Sequence, residues 1–304
     1  MQITELNNTS NFQNLELLAR QVVEGFITGM HKSPFHGFSV EFAEHRLYNK
    51  GESTRHIDWK LFAKTEKLFV KRYEEETNLR CHIIIDNSAS MHYPEVRKNE
   101  TNKIEFSVIA TAVLLEILKR QRDAFGLSIY SDKADYYAPT KGNEKHRRML
   151  LNELKNLLLS VPKTTTSTYT VLHQIAEKIH RRSLIFLFTD MLQADKKEED
   201  LFAALRHLKY NKHEVVLFHT FDGKHELNFD FENTPKKFVD VETGEQINLF
   251  TGNIKESYLK SVKKYFNELK LKCMQYKIDY VPVDITKGYN QILQTYFISR
   301  NNFL

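Results

Sequence analysis

One carboxylate and two hydroxyl groups follow an apolar run in the sequence. The run Ile83-Ile84-Ile85 ends in Asp86, and Ser88 and Ser90 follow at two-residue spacing. Alternate residues of an extended turn point the same way, so one carboxylate and two hydroxyls can face a common point. An all-oxygen ligand set of low charge suits a hard divalent cation such as Mg²⁺. An alternative of equal weight is that Asp86 closes a turn while the two serines cap the next helix.

Composition narrows the class of protein. The chain has 304 residues, of which 41% are hydrophobic and 27% charged, as in ordinary globular proteins. No apolar run approaches the roughly 18 to 20 residues of a membrane span, and the polar start is unlike a secretory signal, so we expect a cytoplasmic protein. The net charge is +5, but acidic and basic residues are interspersed and no nucleic-acid motif is present, so no nucleic-acid partner is expected.

An α/β architecture is predicted for the chain beyond residue 80. Strands are expected at 81–86, 126–131, 183–189, 214–221 and 278–284, with a short edge strand at 134–138. Helices are expected at 103–121, 144–159, 169–181, 197–209, 253–273 and 288–299. Apolar strands that alternate with helices indicate a mainly parallel sheet with helices on both faces.

Two regions are expected. Residues 1–80 form an N-terminal α+β segment packed on the main domain, with helices at 15–29 and 54–65 and with Trp59 buried. Residues 81–304 form the main domain, with an insertion at about 222–252 in which Lys236 to Leu249 forms a hairpin.

Parallel sheets bind their ligands beyond the carboxyl ends of their strands. Several predicted strands end in a carboxylate, at Asp86, Asp132, Asp190, Asp222 and Asp284. Asp190 is the best partner for Asp86, because its strand is equally apolar and the two strands are expected side by side at the centre of the sheet. Thr168, in the loop before the predicted helix at 169, offers a further hydroxyl to the same point.

This set of residues resembles the metal-ion-dependent adhesion site of von Willebrand factor A domains. The order along the chain is the same: Asp86-x-Ser88-x-Ser90, then Thr168, then Asp190. Upstream, the stretches from Glu41 to Lys60 and from Leu68 to Glu76 are similar to the signature of the bacterial domain-of-unknown-function 58 family. The resemblance covers roughly residues 38–220 and implies a von Willebrand A-like, Rossmann-like fold behind an N-terminal segment. Members of this family often accompany MoxR-type AAA+ ATPases, which makes such an ATPase or its client the expected partner.

In the family geometry, the hydroxyls of Ser88, Ser90 and Thr168 would donate neutral oxygens to Mg²⁺, or to Mn²⁺ or Ca²⁺. Asp86 and Asp190 would act directly or by holding coordinated waters. Two departures stand out. Ser167-Thr168-Tyr169 replaces the usual Gly-Gly-Thr-Asp, and the N-terminal membrane helices of many relatives have no counterpart in this sequence.

The function expected from these residues is non-enzymatic binding of a protein. Neutral ligands leave the cation electrophilic, with an open position that a partner's Asp or Glu can fill. The alternative is a metal-dependent hydrolase or nuclease using Asp86 and Asp190, since clustered carboxylates can hold two Mg²⁺ ions. The serine-rich first motif contributes little negative charge for such a two-metal site. An aspartyl phosphotransferase would need an acid two residues after Asp86, where Ser88 stands.

Overall fold

A computed structural model describes residues 15–29, 45–48, 54, 57, 59–71, 79–95, 101–160, 168–191, 198–241 and 243–303. The chain divides into two compact units, Met1–Met30 with Leu79–Leu304, and His31–Asn78. The helix α1 (Leu15–Gly29) therefore belongs to the larger unit. The placement predicted for residues 1–80 as one packed segment stays a prediction.

The smaller unit contains three short elements among its described residues. They are β1 (His45–Leu47), α2 (Trp59–Thr65) and β2 (Phe69–Lys71), and β1 pairs antiparallel with β2. The side chain of Trp59 is 60% exposed and meets the ring of Phe62 edge to face. Our expectation that this tryptophan is buried was wrong.

The larger unit follows the predicted alternation of strands and helices. Its elements are β3 (Arg80–Asp86), α3 (Lys103–Arg120), β4 (Ala124–Tyr130), β5 (Ala134–Lys141), α4 (Glu144–Leu158), α5 (Thr168–Lys178), β6 (Leu184–Thr189), α6 (Glu198–Tyr210), β7 (Glu214–Phe221), β8 (Pro235–Val239), β9 (Gln246–Phe250), α7 (Thr251–Gln275), β10 (Asp279–Asp284) and α8 (Asn290–Phe303). The strands β8 and β9 form the antiparallel hairpin expected in this part of the chain.

A six-stranded sheet with the order β10-β7-β6-β3-β4-β5 lies at the centre. All neighbouring strands pair in parallel except β5, which runs antiparallel to β4 at the edge. The chain builds the sheet outward from β3 through β4, and then outward in the other direction from β6. The carboxyl ends of β3 and β6 therefore meet at the topological switch point, where open α/β sheets bind ligands.

Helices cover both faces of this sheet. On one face α3 is buried along almost its whole length, because α1 and α4 pack on its outer side. On the other face the apolar residues of α5, α6 and α7 form one cluster with Ile84, Ile185 and Leu217 of the sheet. Burial on both faces explains why β3 is apolar without alternation. No helix in the described ranges is both long and apolar enough to cross a membrane.

Two buried polar side chains, His82 and Arg147, connect neighbouring elements of the larger unit away from the switch point. His82 in β3 lies 2.7 Å from the Ser128 hydroxyl, and burial lowers the pKa of its imidazole to about 3. Arg147 of α4 is buried and donates to Glu16 of α1 at 2.6 Å and to Glu144 at 2.7 Å. The guanidinium thus ties α1 to α4.

Candidate metal centre at the carboxyl edge of the sheet

Asp86 is the last residue of β3, between β4 and β6. Its side chain is 2% exposed, and its main chain lies opposite Tyr130 of β4. Because β3 lies at the centre of the sheet, the Asp86 carboxylate lies at the switch point and is shielded from water. Burial and the neighbouring charge of Asp190 together raise the pKa of Asp86 to about 6.

The turn after β3 brings its two serine hydroxyls together. The Ser88 amide donates to Asp86 Oδ1 at 2.9 Å, and the Oγ atoms of Ser88 and Ser90 lie 3.0 Å apart. Ser88 precedes a short 3-10 helix (Ala89–His92) but makes no side-chain capping bond to it. The bond from the Ser88 amide shows that Asp86 closes a turn, as the alternative to a metal site predicted. The helix-capping role that the same alternative gave to Ser88 was wrong.

The neighbouring strand β6 supplies the second carboxylate. Thr189 Oγ1 donates to Asp86 Oδ2 at 2.7 Å, and the next residue, Asp190, is also 2% exposed. The carbonyl oxygen of Asp190 accepts a hydrogen bond from His219 Nε2 at 3.0 Å. Because a carbonyl can only accept, this imidazole carries its proton on Nε2. Burial lowers the pKa of His219 to about 4, so the ring is neutral at pH 7.

A lysine that sequence reasoning missed completes the cluster. The ammonium of Lys103 is fully buried and donates to Asp190 Oδ2 at 2.8 Å and to Glu226 Oε1 at 2.6 Å. Burial alone would lower the pKa of this amine, but the charges of Asp190 and Glu226 outweigh it and raise the pKa above its usual range. Lys103 is therefore charged at neutral pH.

Glu226 reaches the cluster from a π-helical turn (Gly223–Leu227) directly after β7. Its Oε2 atom accepts from the Asp222 amide at 2.7 Å, and its carbonyl accepts from the Tyr258 hydroxyl at 2.8 Å. At Gly223 a Cβ atom would lie 2.1 Å from Asp284 Oδ2, so the turn depends on glycine there. These contacts fix the position of the Glu226 carboxylate.

One local signal could have pointed to Lys103. It is the first residue of α3, where the helix dipole disfavours a positive charge. The helix start is otherwise well formed, with Asn102 and Glu105 in a reciprocal capping box. A lysine at such a position indicates a compensating negative charge nearby in the fold.

The other predicted residues fall into two groups. Thr168 begins α5, but its side chain lies outside the described residues, so its predicted ligand role stays a prediction. The remaining strand-end carboxylates have local partners: Asp132 accepts from the Ser131 hydroxyl, Asp222 from the Lys224 amide, and Asp284 from the Thr286 amide.

The donor set at the switch point fits a single divalent cation. When ionised, Asp86, Asp190, Glu226 and Lys103 together carry a charge of −2. Adjacent ligands of an octahedral Mg²⁺ ion stand about 3 Å apart, which matches the 3.0 Å between the two serine oxygens. In the described part of the chain no three His, Cys, Asp or Glu side chains form a metal-binding group.

A cavity of about 300 Å³ opens beside the cluster, between β7 and α7. Asp190 and Glu226 form part of its wall, and the surface of the remaining wall consists mainly of apolar atoms. The residues that supply it are His219, Thr220, Phe221, Tyr258, Ser261, Val262, Tyr265 and Phe266. The surface next to the carboxylates is thus largely apolar.

Residues 44–266 match the model of the family described as "Protein of unknown function DUF58". The chain belongs to the DUF58 family. Its α/β fold is as predicted, with a mainly parallel six-stranded sheet between two layers of helices.

Individual relatives are distant. Uncharacterized proteins of Mycobacterium tuberculosis and Mycobacterium bovis are 22% identical to this DUF58 protein over 180 residues, which are 59% of this chain and 56% of each relative. The chain thus matches about half the length of these relatives. Among solved structures, BatB from Bacteroides thetaiotaomicron gives a TM-score of 0.43 at 18% identity, over 73% of this chain and 98% of BatB. The SpRpn10 VWA domain gives 0.40 at 13% identity, over 74% of this chain and 96% of that domain.

Proposed function

We propose that this DUF58 protein is a non-enzymatic binding module whose contact point is a Mg²⁺ ion at the carboxyl edge of its sheet. The observation that carries the proposal is the pair of serine hydroxyls, 3.0 Å apart beside the buried Asp86 carboxylate. Ser88 and Ser90 would hold the ion directly, with Asp86 and Asp190 as direct ligands or as acceptors for coordinated waters. Thr168 would add a third hydroxyl, and Mn²⁺ or Ca²⁺ could replace Mg²⁺.

The chemistry of this site is recognition of a carboxylate. Hydroxyl ligands do not neutralise the ion, so it retains a strong attraction for an Asp or Glu side chain of a partner. A metal-dependent hydrolase or nuclease with two ions would need more negative charge than the net −2 of this cluster supplies. The charge balance therefore favours one ion and a binding role.

The partner that we propose is a MoxR-type AAA+ ATPase or a protein that it acts on, with this chain as an adaptor in the cytoplasm. The support for this partner is the family resemblance of the sequence. The apolar cavity wall that adjoins Asp190 also suits a protein partner, whose apolar side chains would cover it.

Isothermal titration calorimetry with MgCl₂ and MnCl₂ tests the ion site. The wild-type protein should bind one ion, and the Asp86→Ala and Ser88→Ala variants should lose at least tenfold in affinity. Asp132→Ala removes an exposed carboxylate from the same edge of the sheet and is the matched control. Equal heats for wild type and Asp86→Ala would rule out the proposed site.

A second assay separates binding from hydrolysis. The protein is incubated with Mg²⁺ or Mn²⁺ and with phosphomonoesters, phosphodiesters and single-stranded DNA. The binding proposal predicts no turnover above a metal-only blank. Turnover that is lost in Asp86→Ala would instead establish the hydrolase alternative.

A further inference from the structure

The strongest unassigned feature of the molecule is the buried ammonium of Lys103. Its side chain is fully buried, and its nitrogen lies 2.8 Å from Asp190 Oδ2 and 2.6 Å from Glu226 Oε1. The ring centroid of Tyr93 lies 5.9 Å from the same nitrogen. A protein cation thus occupies a position beside a carboxylate that we assign to the metal site.

The charge is what distinguishes this arrangement from an ordinary packing contact. When all three are ionised, the carboxylates of Asp86, Asp190 and Glu226 carry −3 without the ammonium and −2 with it. A divalent cation would have to approach against the field of this fixed positive charge. Like charges at short range in a poorly solvated site repel strongly.

We propose that Lys103 is a tethered cation that lowers the affinity of the site for divalent ions and holds Asp190 in place when no ion is bound. This inference rests on the metal site of the proposed function. It predicts a site that stays folded without metal and binds Mg²⁺ reversibly. Glu226 shares the ammonium and completes the charge balance from the turn after β7.

Calorimetric Mg²⁺ affinities of the wild type and four variants test the proposal, because three of the variants set the charge of the cluster and the fourth leaves it unchanged. Lys103→Met takes the charge to −3 and should bind Mg²⁺ at least about tenfold tighter than wild type. Glu226→Gln takes it to −1 and should bind at least about tenfold more weakly. The double variant Lys103→Met with Glu226→Gln restores −2 and should return to within about threefold of wild type. Lys133→Met, an exposed lysine at the same edge, should leave the affinity unchanged.

Each outcome has a distinct meaning. A Lys103→Met protein that binds Mg²⁺ no more tightly than wild type overturns the tethered-cation role but leaves the metal site intact. Binding by Lys103→Met without binding by wild type upholds the role of Lys103 and overturns the metal-dependent function of the native chain. No binding by any variant overturns both.

A second comparison tests Lys103 in a protein that lacks the charge of Glu226. Glu226→Gln and the double variant differ only at Lys103, so the double variant should bind at least about threefold more tightly than Glu226→Gln. A residue that merely supports the structure would weaken binding when removed. Equal or weaker binding by the double variant would overturn the proposal.

Discussion

The ion pair between Lys103 and Asp190 makes a quantitative prediction for the metal-free protein. Both side chains are buried, and the charged atoms are 2.8 Å apart. At an effective dielectric constant of about 20, that separation corresponds to an attraction of about 6 kcal/mol, which the desolvation of the two groups largely offsets. The loss of one partner therefore costs more than the pair contributes, because a buried charge is left uncompensated.

The two single variants should differ in cost. Lys103→Met leaves both Asp190 and Glu226 without their cation, so we expect a loss of about 4–5 kcal/mol in the free energy of unfolding. Asp190→Asn leaves the ammonium paired with Glu226 at 2.6 Å, so we expect about 2–3 kcal/mol. The protein that carries both Lys103→Met and Asp190→Asn should lose about 2–3 kcal/mol less free energy of unfolding than the sum of the two single losses.

Urea unfolding at pH 7 with EDTA, followed by far-ultraviolet circular dichroism, measures all three losses. The matched control is Lys133→Met with Asp132→Asn, an exposed lysine and an exposed aspartate at the same sheet edge, which should each change stability by less than about 0.5 kcal/mol. Additive costs for Lys103→Met and Asp190→Asn, or a cost below about 1 kcal/mol for Lys103→Met, would refute a buried ion pair at this position.

Three further predictions concern the framework that holds the site. The pKa of His82 is about 3 in the folded protein and about 6.5 in the unfolded chain. The free energy of unfolding therefore falls as the pH drops below 6.5, because only the unfolded chain takes up the proton. Between pH 6.5 and 4.5 the free energy of unfolding of the His82→Gln variant should fall by about 2.3 kcal/mol less than that of wild type in urea titrations, and equal pH slopes would contradict this. Arg147→Met should lower the free energy of unfolding by about 2–4 kcal/mol. The side chain of Arg148 is 73% exposed, so Arg148→Met should change that free energy by less than about 0.5 kcal/mol. Similar losses in the two variants would show that the buried guanidinium contributes no more than an exposed one. Gly223→Ala drives a Cβ into the Asp284 carboxylate and should lower the unfolding free energy by about 1–3 kcal/mol, and a melting temperature equal to that of wild type would disprove the close approach.

The sequence predicted the sheet, and the positions of Asp86 and Asp190 at the ends of its central strands, because those signals are local. A strand buried on both faces reads as an unbroken apolar run, and both Asp86 and Asp190 directly follow such runs. Their adjacency followed from the expectation that the two most apolar strands lie at the centre of the sheet. The serine spacing in the turn likewise needs only a few residues of context.

Lys103 and Glu226 could not be found in that way, because 123 positions separate them in the chain. They meet only because α3 begins beside β6 and the π-helical turn follows β7. Neither residue stands in a recognisable motif, and an exposed position is the default for both residue types. The prediction that Trp59 is buried was wrong. Its large apolar area predicted burial, but local sequence does not determine which aromatic residues remain on the surface.

Biolayer interferometry with a purified MoxR-type ATPase from the same organism measures the proposed contact directly. We expect binding in 5 mM MgCl₂ that is lost in EDTA and in the Asp86→Ala variant, and that persists in Asp132→Ala. Equal affinity in MgCl₂ and in EDTA, with Asp86→Ala indistinguishable from wild type, would contradict a metal-bridged contact at the end of β3.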